Sequence, residues 1–259
     1  MNKNDFQEFP EGVALVVGGS GGTGAVISQR LVEMGATVAL TYNSNKTRAD
    51  EMVAQITADG GSAEAFQLNM KDLDTVITLF DQLKKKHGQV HTVVMATGYD
   101  IPQEHISEIS PELWQDVINT DLNGFYNVAH TAIPYLRESK GSIVHISSAG
   151  LGRFPARDVL SVSPKAAIDS LVKGIAKEEG PHGIRANSVA IGVIETGIFL
   201  RLRAEGVFDD NWVEAVTNGL CVQRFGKPEE VADTACFLAS NRAKYVTGQT
   251  IFVDGGYHV

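Results

Sequence analysis

The sequence predicts a doubly wound α/β fold, one parallel seven-stranded sheet in a single domain spanning residues 1–259, and three observations predict it. Short apolar or β-branched runs alternate with helical patterns from end to end, the order that builds a parallel sheet with helices on both faces. A glycine cluster stands between the first strand-like run and the first helical one. No Pro/Ser-rich linker, internal repeat or low-complexity tract divides the chain.

Val13–Val17 is continuously apolar, as a strand buried on both faces must be. Gly18–Gly22 reads as a turn, and Thr23–Met34 as a helix with Ile27, Leu31 and Met34 on one side and Gly35 as its stop. Thr37–Thr41 is the second strand, and a polar helix from about Thr47 to Asp59 ends at Gly60 and Gly61. Ser62–Leu68 is the third strand. Asp72 can cap the next helix, which places Leu73, Val76, Ile77, Phe80 and Leu83 on one face. Lys84, Lys85 and Lys86 fall in its last turn, where cations suit the helix dipole, and Gly88 ends it. Thr92–Ala96 is the fourth strand, Pro111–Leu136 one long helical region, and Ser142–Ser147 the fifth strand, followed by a helix to about Gly180. Arg185–Ala190 and Thr250–Val253 are the sixth and seventh strands. Glu195–Leu220 is the least regular part, rich in charge and carrying Phe199, Phe208 and Trp212. An insertion of that length near the carboxyl ends of the strands reads as a lid over a ligand, the alternative being a plain surface excursion.

The chain is 43% hydrophobic and 20% charged, an ordinary globular balance that needs no disulfide or metal to hold its core. A net charge of −9 argues against a nucleic-acid partner and against anionic lipid, both of which need a basic face. Cys221 and Cys236 form no pairing framework and no CxxC site, and no metal site is expected. Met1–Gly12 is polar and lacks an apolar signal core, and no apolar run approaches the ~20 residues of a membrane helix. A cytoplasmic protein is the resulting expectation.

Gly18, Gly22 and Gly24 follow the first strand and open the first helix. Glycines there let the backbone turn sharply and let a pyrophosphate approach the free N–H groups of the helix N-terminus, the arrangement of a Rossmann-type nucleotide site. An acid at the end of the second strand would bond a ribose 2′-hydroxyl and favour NAD. Thr41, Tyr42 and Asn43 stand there instead, with Lys46 and Arg48 close behind, which favours NADP over NAD. The alternative is that both cations are solvated residues at a helix start. Asn69, after the third strand, is placed to bond an adenine edge.

Longer motifs carry a resemblance. They are Val17-Gly18-Gly19-Ser20-Gly21-Gly22-Thr23-Gly24, Gly141-Ser142-Ile143-Val144-His145-Ile146-Ser147-Ser148, Gly183-Ile184-Arg185-Ala186-Asn187-Ser188-Val189-Ala190, Arg224-Phe225-Gly226-Lys227-Pro228-Glu229-Glu230-Val231-Ala232, and Thr247-Gly248-Gln249 running into Val253-Asp254-Gly255-Gly256. Over essentially its whole length the chain resembles the classical short-chain dehydrogenase/reductase family, most closely the 3-oxoacyl-thioester reductases. The resemblance implies a cofactor set of Gly18, Ser20, Gly22, Thr23, Gly24, Ala96, Gly98, Lys165 and Thr196, beside Tyr42, Asn43, Lys46 and Asn69 at the adenosine end. It also implies a catalytic Asn, Ser, Tyr and Lys, in which the Tyr moves the substrate proton, the Ser polarises the carbonyl and the Lys holds the nicotinamide ribose. Ser148 and Lys165 match; Ser161 stands in the Tyr position and Asp121 in the Asn position. The family's Asn-Asn-Ala-Gly appears as Met95-Ala96-Thr97-Gly98, and its Pro-Gly after the sixth strand as Ile191-Gly192. Pro164, directly before Lys165, is tolerated in a first helical turn, so the active-site helix is expected to start late.

Three functional expectations follow from the resemblance and its departures. The first is a non-catalytic subunit of a hydroxyacyl-type dehydrogenase, of acyl-CoA or another thioester substrate, assembled as a dimer or tetramer with a catalytically complete paralogue. The second is a divergent NAD(P)-dependent oxidoreductase of a carbonyl or alcohol whose proton donor has moved, to Tyr99 or, less favourably, to Asp121 or His145. For these the structural alternatives are a pocket wall, a helix-kink hydrogen bond and a core histidine. The third is a Ser–Lys hydrolase using Ser161 and Lys165, for which no nucleophile elbow is visible. Arg153, Arg157, Arg201 and Arg203 lie near the expected substrate mouth, where they either hold an anionic group or are ordinary surface residues.

Overall fold

The computed structural model describes residues 7–259; the first six residues of the polar amino-terminal stretch lie outside them. Strands β1 (Val13–Val17), β2 (Thr37–Tyr42), β3 (Ala63–Gln67), β4 (Val90–Met95), β5 (Ser142–Ser148), β6 (Arg185–Ile191) and β7 (Thr250–Val253) form one seven-stranded sheet in the order β3-β2-β1-β4-β5-β6-β7. Every pairing is parallel. The order reverses between β1 and β4, which are neighbours in space and distant in sequence. The doubly wound fold expected from the alternation of elements is therefore present.

Side chains alternate across each strand, so each strand feeds two cores. Val13, Leu15 and Val17 of β1 join Val76, Leu79, Phe80 and Leu83 of helix α3 (Leu73–His87) and Phe125, Val128 and Leu136 of α5 (Gly124–Ser139). Ile168 and Val172 of α6 (Val159–Glu179) complete that side. Ala14 and Val16 face the opposite way, onto Ile27 and Leu31 of α1 (Gly22–Glu33), Ile56 of α2 (Lys46–Ala58) and Val231, Ala235 and Leu238 of α9 (Pro228–Ala239). Each large apolar side chain buried here contributes about 1.5–3 kcal/mol. Asp72 caps α3 as expected, accepting from the N–H groups of Asp74 and Thr75. Among the described residues, no helix is long and apolar enough to cross a membrane.

The structure corrects two expectations and refines one. Pro111–Leu136 is helical throughout, as expected, but not uniform: α4 (Pro111–Val117) passes through a π-helical turn, Ile118–Asn123, into α5. The extra residue of a π turn rotates the chain between two faces, and it is Asp121 that it carries inward. The active-site helix does not start late either. It begins at Val159 because the Asp158 carbonyl accepts from the N–H groups of Ser161 (3.1 Å) and Val162 (2.9 Å), and because Leu160 is anchored against Val117 and Ile101. Pro164 therefore lies inside α6, at the cost of one backbone hydrogen bond. Glu195–Leu220 is not irregular: it forms α7 (Ile198–Ala204) and α8 (Asp210–Asn218), the latter capped by Asp209.

The root of this segment explains what the Arg224–Ala232 motif does. Gly226 bridges to Ile194 in parallel, Phe225 is buried against Phe199 (ring centroids 4.9 Å), and Pro228 opens α9. The Glu230 carboxylate accepts from the Arg224 guanidinium at 2.6 and 2.9 Å and from the Lys227 N–H at 2.8 Å. The Arg224 guanidinium and then the Lys227 N–H hold that carboxyl well down, at about 2 against an ordinary 4.5. A depressed carboxyl stabilises the fold above its unfolded pKa, and that stabilisation is lost as pH falls toward the folded value. Glu230→Gln is expected to flatten the loss of stability between pH 4.5 and about 2, with a deficit at neutral pH below ~1 kcal/mol because the pair is solvent-screened. Urea unfolding across that pH range measures it; an unchanged acid limb would contradict the assignment.

Candidate nucleotide site and active centre

The carboxyl ends of β1 and β4 meet where the strand order reverses, the place where open α/β sheets bind ligands. The Ala96 N–H donates to the Val17 carbonyl at 2.9 Å, which brings the turn after β1 against the turn after β4. Gly18 adopts φ +78°, and its N–H donates to the buried Thr41 Oγ1 at 3.0 Å. A Cβ on Gly18 would lie 2.8 Å from the Thr97 side chain, and one on Gly24 would run into the Gly18 carbonyl oxygen. Ser28 ties the turn from below, its hydroxyl in reach of the carbonyls of Gly19 (3.2 Å) and Gly24 (2.9 Å). The N-cap of α1 is Gly21, with no side-chain cap, and the space a Cβ would take there is open. Buried Ser20 and the first-turn residues Gly22 and Thr23 flank this opening, and Thr196 at the root of the α7–α8 segment lies beside Gly22. An uncapped helix N-terminus with room above it fits a pyrophosphate.

Tyr42 ends β2, and Asn45 caps α2 through the Arg48 N–H at 3.0 Å. Asn43 and Arg48 are exposed there, while the Lys46 ammonium pairs with Asp50 at 2.6 Å. Asn69 lies beyond β3, and its carboxamide oxygen accepts from the Lys71 N–H at 3.1 Å, a local turn. The adenosine-end residues are thus gathered at the ends of β2 and β3, but Lys46 and Asn69 already have protein partners.

At the other end, Ser148 closes β5, and its oxygen accepts from the Gly150 N–H at 3.1 Å, which leaves the hydroxyl proton free. Ser161 and Lys165 lie one turn apart on α6, and Lys165 Nζ donates to Ser161 Oγ at 3.1 Å. Gly98 faces the same ammonium, 4.0 Å from where its Cβ would stand. The Lys165 charge acts on two buried carboxyls. Asp121 is buried, and its Oδ2 accepts from the Tyr99 N–H at 3.4 Å. Burial pushes its carboxyl above the usual range, with the Lys165 charge opposing. Asp158, the N-cap residue of α6, is raised by burial too, again opposed by Lys165 and by a bond from Gln103. Asp158 escapes sequence reasoning because Gln103 and Lys165 reach it only through the fold. Its one local signal is its place immediately before the helix that carries Ser161.

Tyr99 has its phenol elsewhere. The hydroxyl donates to Asp116 Oδ2 at 2.6 Å, and that bond holds the phenol above its ordinary pKa, the opposite of what a general acid near neutrality needs. Asp116 also takes Lys71 at 3.2 Å. His145 is enclosed in the core, pushed down to about 3 by burial. The geometry does not favour a hydrolase, since Lys165 is the donor in its bond to Ser161, whereas activating a serine needs a base that accepts from it.

The four arginines have partners. Arg201 pairs with Asp100 at 2.6 Å and Glu205 at 2.8 Å, and Arg203 with Asp210 at 2.8 Å. Arg157 donates to His105 Nε2 at 3.1 Å, and Arg153 lies over the Tyr257 ring at 5.3 Å. The Arg201–Asp100 pair joins α7 to the loop after β4. Phe208 and Trp212 stack at 3.7 Å beside Phe199 and Phe225.

The family model described as enoyl-(acyl carrier protein) reductase matches residues 18–258. A 3-oxoacyl-[acyl-carrier-protein] reductase of Staphylococcus aureus is 33% identical over 248 residues, 95% of this chain and 98% of the relative. The versicolorin reductase of Emericella nidulans is 33% identical over an alignment of 264 residues, 99% of each chain. Among solved structures, a short-chain dehydrogenase/reductase from Serratia marcescens matches with a TM-score of 0.88 at 26% identity, covering 98% of this chain and 100% of that one. One from Mycobacterium ulcerans reaches 0.90 at 27% identity, covering 97% and 91%.

The glycine turn generates a direct test. Gly24→Ala puts a methyl against the Gly18 carbonyl, which costs about 1–3 kcal/mol of stability as the turn is forced apart. Calorimetric titration with NADPH or NADH is expected to show affinity reduced at least ~10-fold, since 1.4 kcal/mol of lost fit is a factor of ten. Undiminished binding would mean that the nucleotide does not lie over this turn.

Proposed function

The chain belongs to the short-chain dehydrogenase/reductase family, and from that membership we propose that it is a nucleotide-binding subunit, silent in isolation, that assembles with a catalytically complete paralogue acting on a hydroxyacyl or oxoacyl thioester in the cytoplasm. One observation carries the reading. Lys165 Nζ bonds Ser161 Oγ at 3.1 Å, so the lysine is still poised, but on an aliphatic hydroxyl where the family places a phenol. A serine hydroxyl is far less acidic than a phenol and shorter in reach, and loss of a general acid/base typically costs a factor of ~10² to 10⁴.

NAD(P), when bound, supplies or accepts hydride. The remaining roles are this chain's own. The Gly18–Gly24 turn and the open N-terminus of α1 bind the pyrophosphate. Lys165, opposite Gly98, holds the nicotinamide ribose. Ser148, with its proton free, bonds a substrate carbonyl. The absence of an acid after β2, with Lys46 and Arg48 on the first turn of α2, favours NADP, provided that Lys46 exchanges Asp50 for the phosphate. The α7–α8 segment, latched to the β4 loop through Arg201 and Asp100, serves as the lid. Partly exposed Leu73 and Ile77 on α3, beside Pro134 and Tyr135 of α5, support assembly through that face as a dimer or tetramer.

A second reading, a divergent oxidoreductase, is favoured by a separate observation. Burial raises both the Asp121 and the Asp158 carboxyl, with the Lys165 charge opposing, and a buried carboxyl near a retained lysine is a candidate proton carrier. Tyr99 is a weaker donor because its hydroxyl is given to Asp116.

The isolated chain is expected to bind NADPH or NADH calorimetrically while reducing 3-oxoacyl thioesters at least ~10²-fold more slowly than a complete relative. Co-expressed with a sibling that carries the tyrosine, it should co-elute in a larger assembly. Full family-level turnover by the chain alone would overturn the silent-subunit reading in favour of the divergent enzyme. Absence of binding at millimolar nucleotide would overturn the nucleotide reading.

A further inference from the structure

Behind the active centre, Asp121, His145, Thr97, Met95, Phe125 and Ile168 enclose a small interior cavity of about 10 Å³. Asp121 and His145 are 7% and 3% exposed. Asp121 Oδ1 is buried without a hydrogen-bond partner, and neither ring nitrogen of His145 makes a well-formed bond, its one approach being to the Met95 backbone. Buried polar atoms are almost always satisfied by protein or by ordered water. A polar cavity needs about 10–15 Å³ and two to four polar partners to hold one water molecule. This one has the room, and it has an acceptor on one wall and an imidazole on the other.

We propose that the cavity is a binding site for a single water molecule that bridges Asp121 Oδ1 to a ring nitrogen of His145, making His145 the positioning residue for the Asp121 carboxyl. The water donates one O–H to Asp121 Oδ1 and the other to the unprotonated ring nitrogen. His145 stays neutral at any pH above about 3 because burial opposes its charge, so it remains an acceptor over the working range. The edge-on contact with Phe125, at 5.3 Å between ring centroids, fixes the plane of the imidazole. The other carboxylate oxygen, Oδ2, takes the Tyr99 N–H at 3.4 Å. The groups facing Asp121 are thus Tyr99 from the loop after β4, His145 from β5 and Lys165 from α6, whose charge also acts on Asp158. A donating water favours the ionised carboxyl and offsets part of the upward push of burial. The site stands whether or not the chain turns over substrate, so its test is independent of the proposed function.

Crystals of the full chain diffracting to high resolution are expected to show one solvent peak within about 2.7–3.2 Å of both Asp121 Oδ1 and a His145 nitrogen. Carboxyl-carbon NMR of aspartate-labelled protein should then show His145→Leu, which removes the acceptor, displacing the Asp121 midpoint upward by about one pH unit, a ten-fold change in proton affinity. His145→Asn, which keeps an acceptor on that wall, should hold the midpoint near its original value and retain the peak. A dry cavity, or a midpoint that His145→Leu leaves in place, overturns the proposal. Should the Leu variant fail to fold, the decision falls to the unmodified chain's density and the Asn variant: absence of the peak in the first or its loss in the second overturns it.

Discussion

The hydrogen bond from the Ala96 N–H to the Val17 carbonyl, 2.9 Å long at the reversal of strand order, sets the constraint that the rest of the molecule obeys. It holds the ends of β1 and β4 one strand spacing apart, so the chain leaving β1 must turn within a few residues against the backbone leaving β4. Gly18 at φ +78° and the close approach of Gly24 to the Gly18 carbonyl are consequences. Few side chains tolerate the first and none the second. That tight exit aims the N-terminus of α1 into the crevice, uncapped and open. The crevice proposed to hold the nucleotide is thus a by-product of packing a parallel sheet, and its pyrophosphate end does not depend on α6.

In the proposed reading any chemistry depends on Lys165, which is placed by α6 and so by the anchoring of that helix at Asp158 and Leu160. Around the ammonium lie Ser161, Gly98 and the carboxyls of Asp121 and Asp158. This is an acid-rich cage about a lysine, without a phenol to receive the lysine's influence. In the proposed reading, pyrophosphate capture rests on β1, α1 and β4, whereas proton transfer and the ribose contact of Lys165 rest on α6 and the π turn. A sequence can lose the second and keep the first, and the packing residues of Arg224–Ala232 belong to neither.

How much of this was legible follows from the range of the interactions. Strands buried on both faces announce themselves as apolar runs, so β1 and a parallel seven-stranded sheet were readable from Val13–Val17 and its successors. Caps at Asp72 and stops at Gly88 are local and were readable too. The π turn was not, because its neighbours keep a helical pattern on both sides and only the tertiary environment decides where one extra residue goes. Pro164 misled for a related reason: the rule that places proline in a first turn is weaker than the packing of Leu160. In the centre, Ser148, Ser161, Lys165 and Gly98 were legible as a group only through the family resemblance. Asp158 was not, since Gln103 and Lys165 reach it from elsewhere in the chain. The arginines read as free cations in sequence because their partners, Asp100, His105 and the Tyr257 ring, are distant along it.

The central claim of the proposed function is that the missing phenol at position 161 is what silences the chain. Replacing Ser161 with tyrosine and following NADPH- or NADH-dependent reduction of a 3-oxoacyl thioester by the purified chain tests it most directly. The account predicts a gain of ~10² to 10⁴ over the unmodified chain, the contribution of a restored general acid, with nucleotide affinity unchanged. A variant that binds nucleotide as before and remains inert would contradict it, as would an unmodified chain that is already as fast as its tyrosine variant.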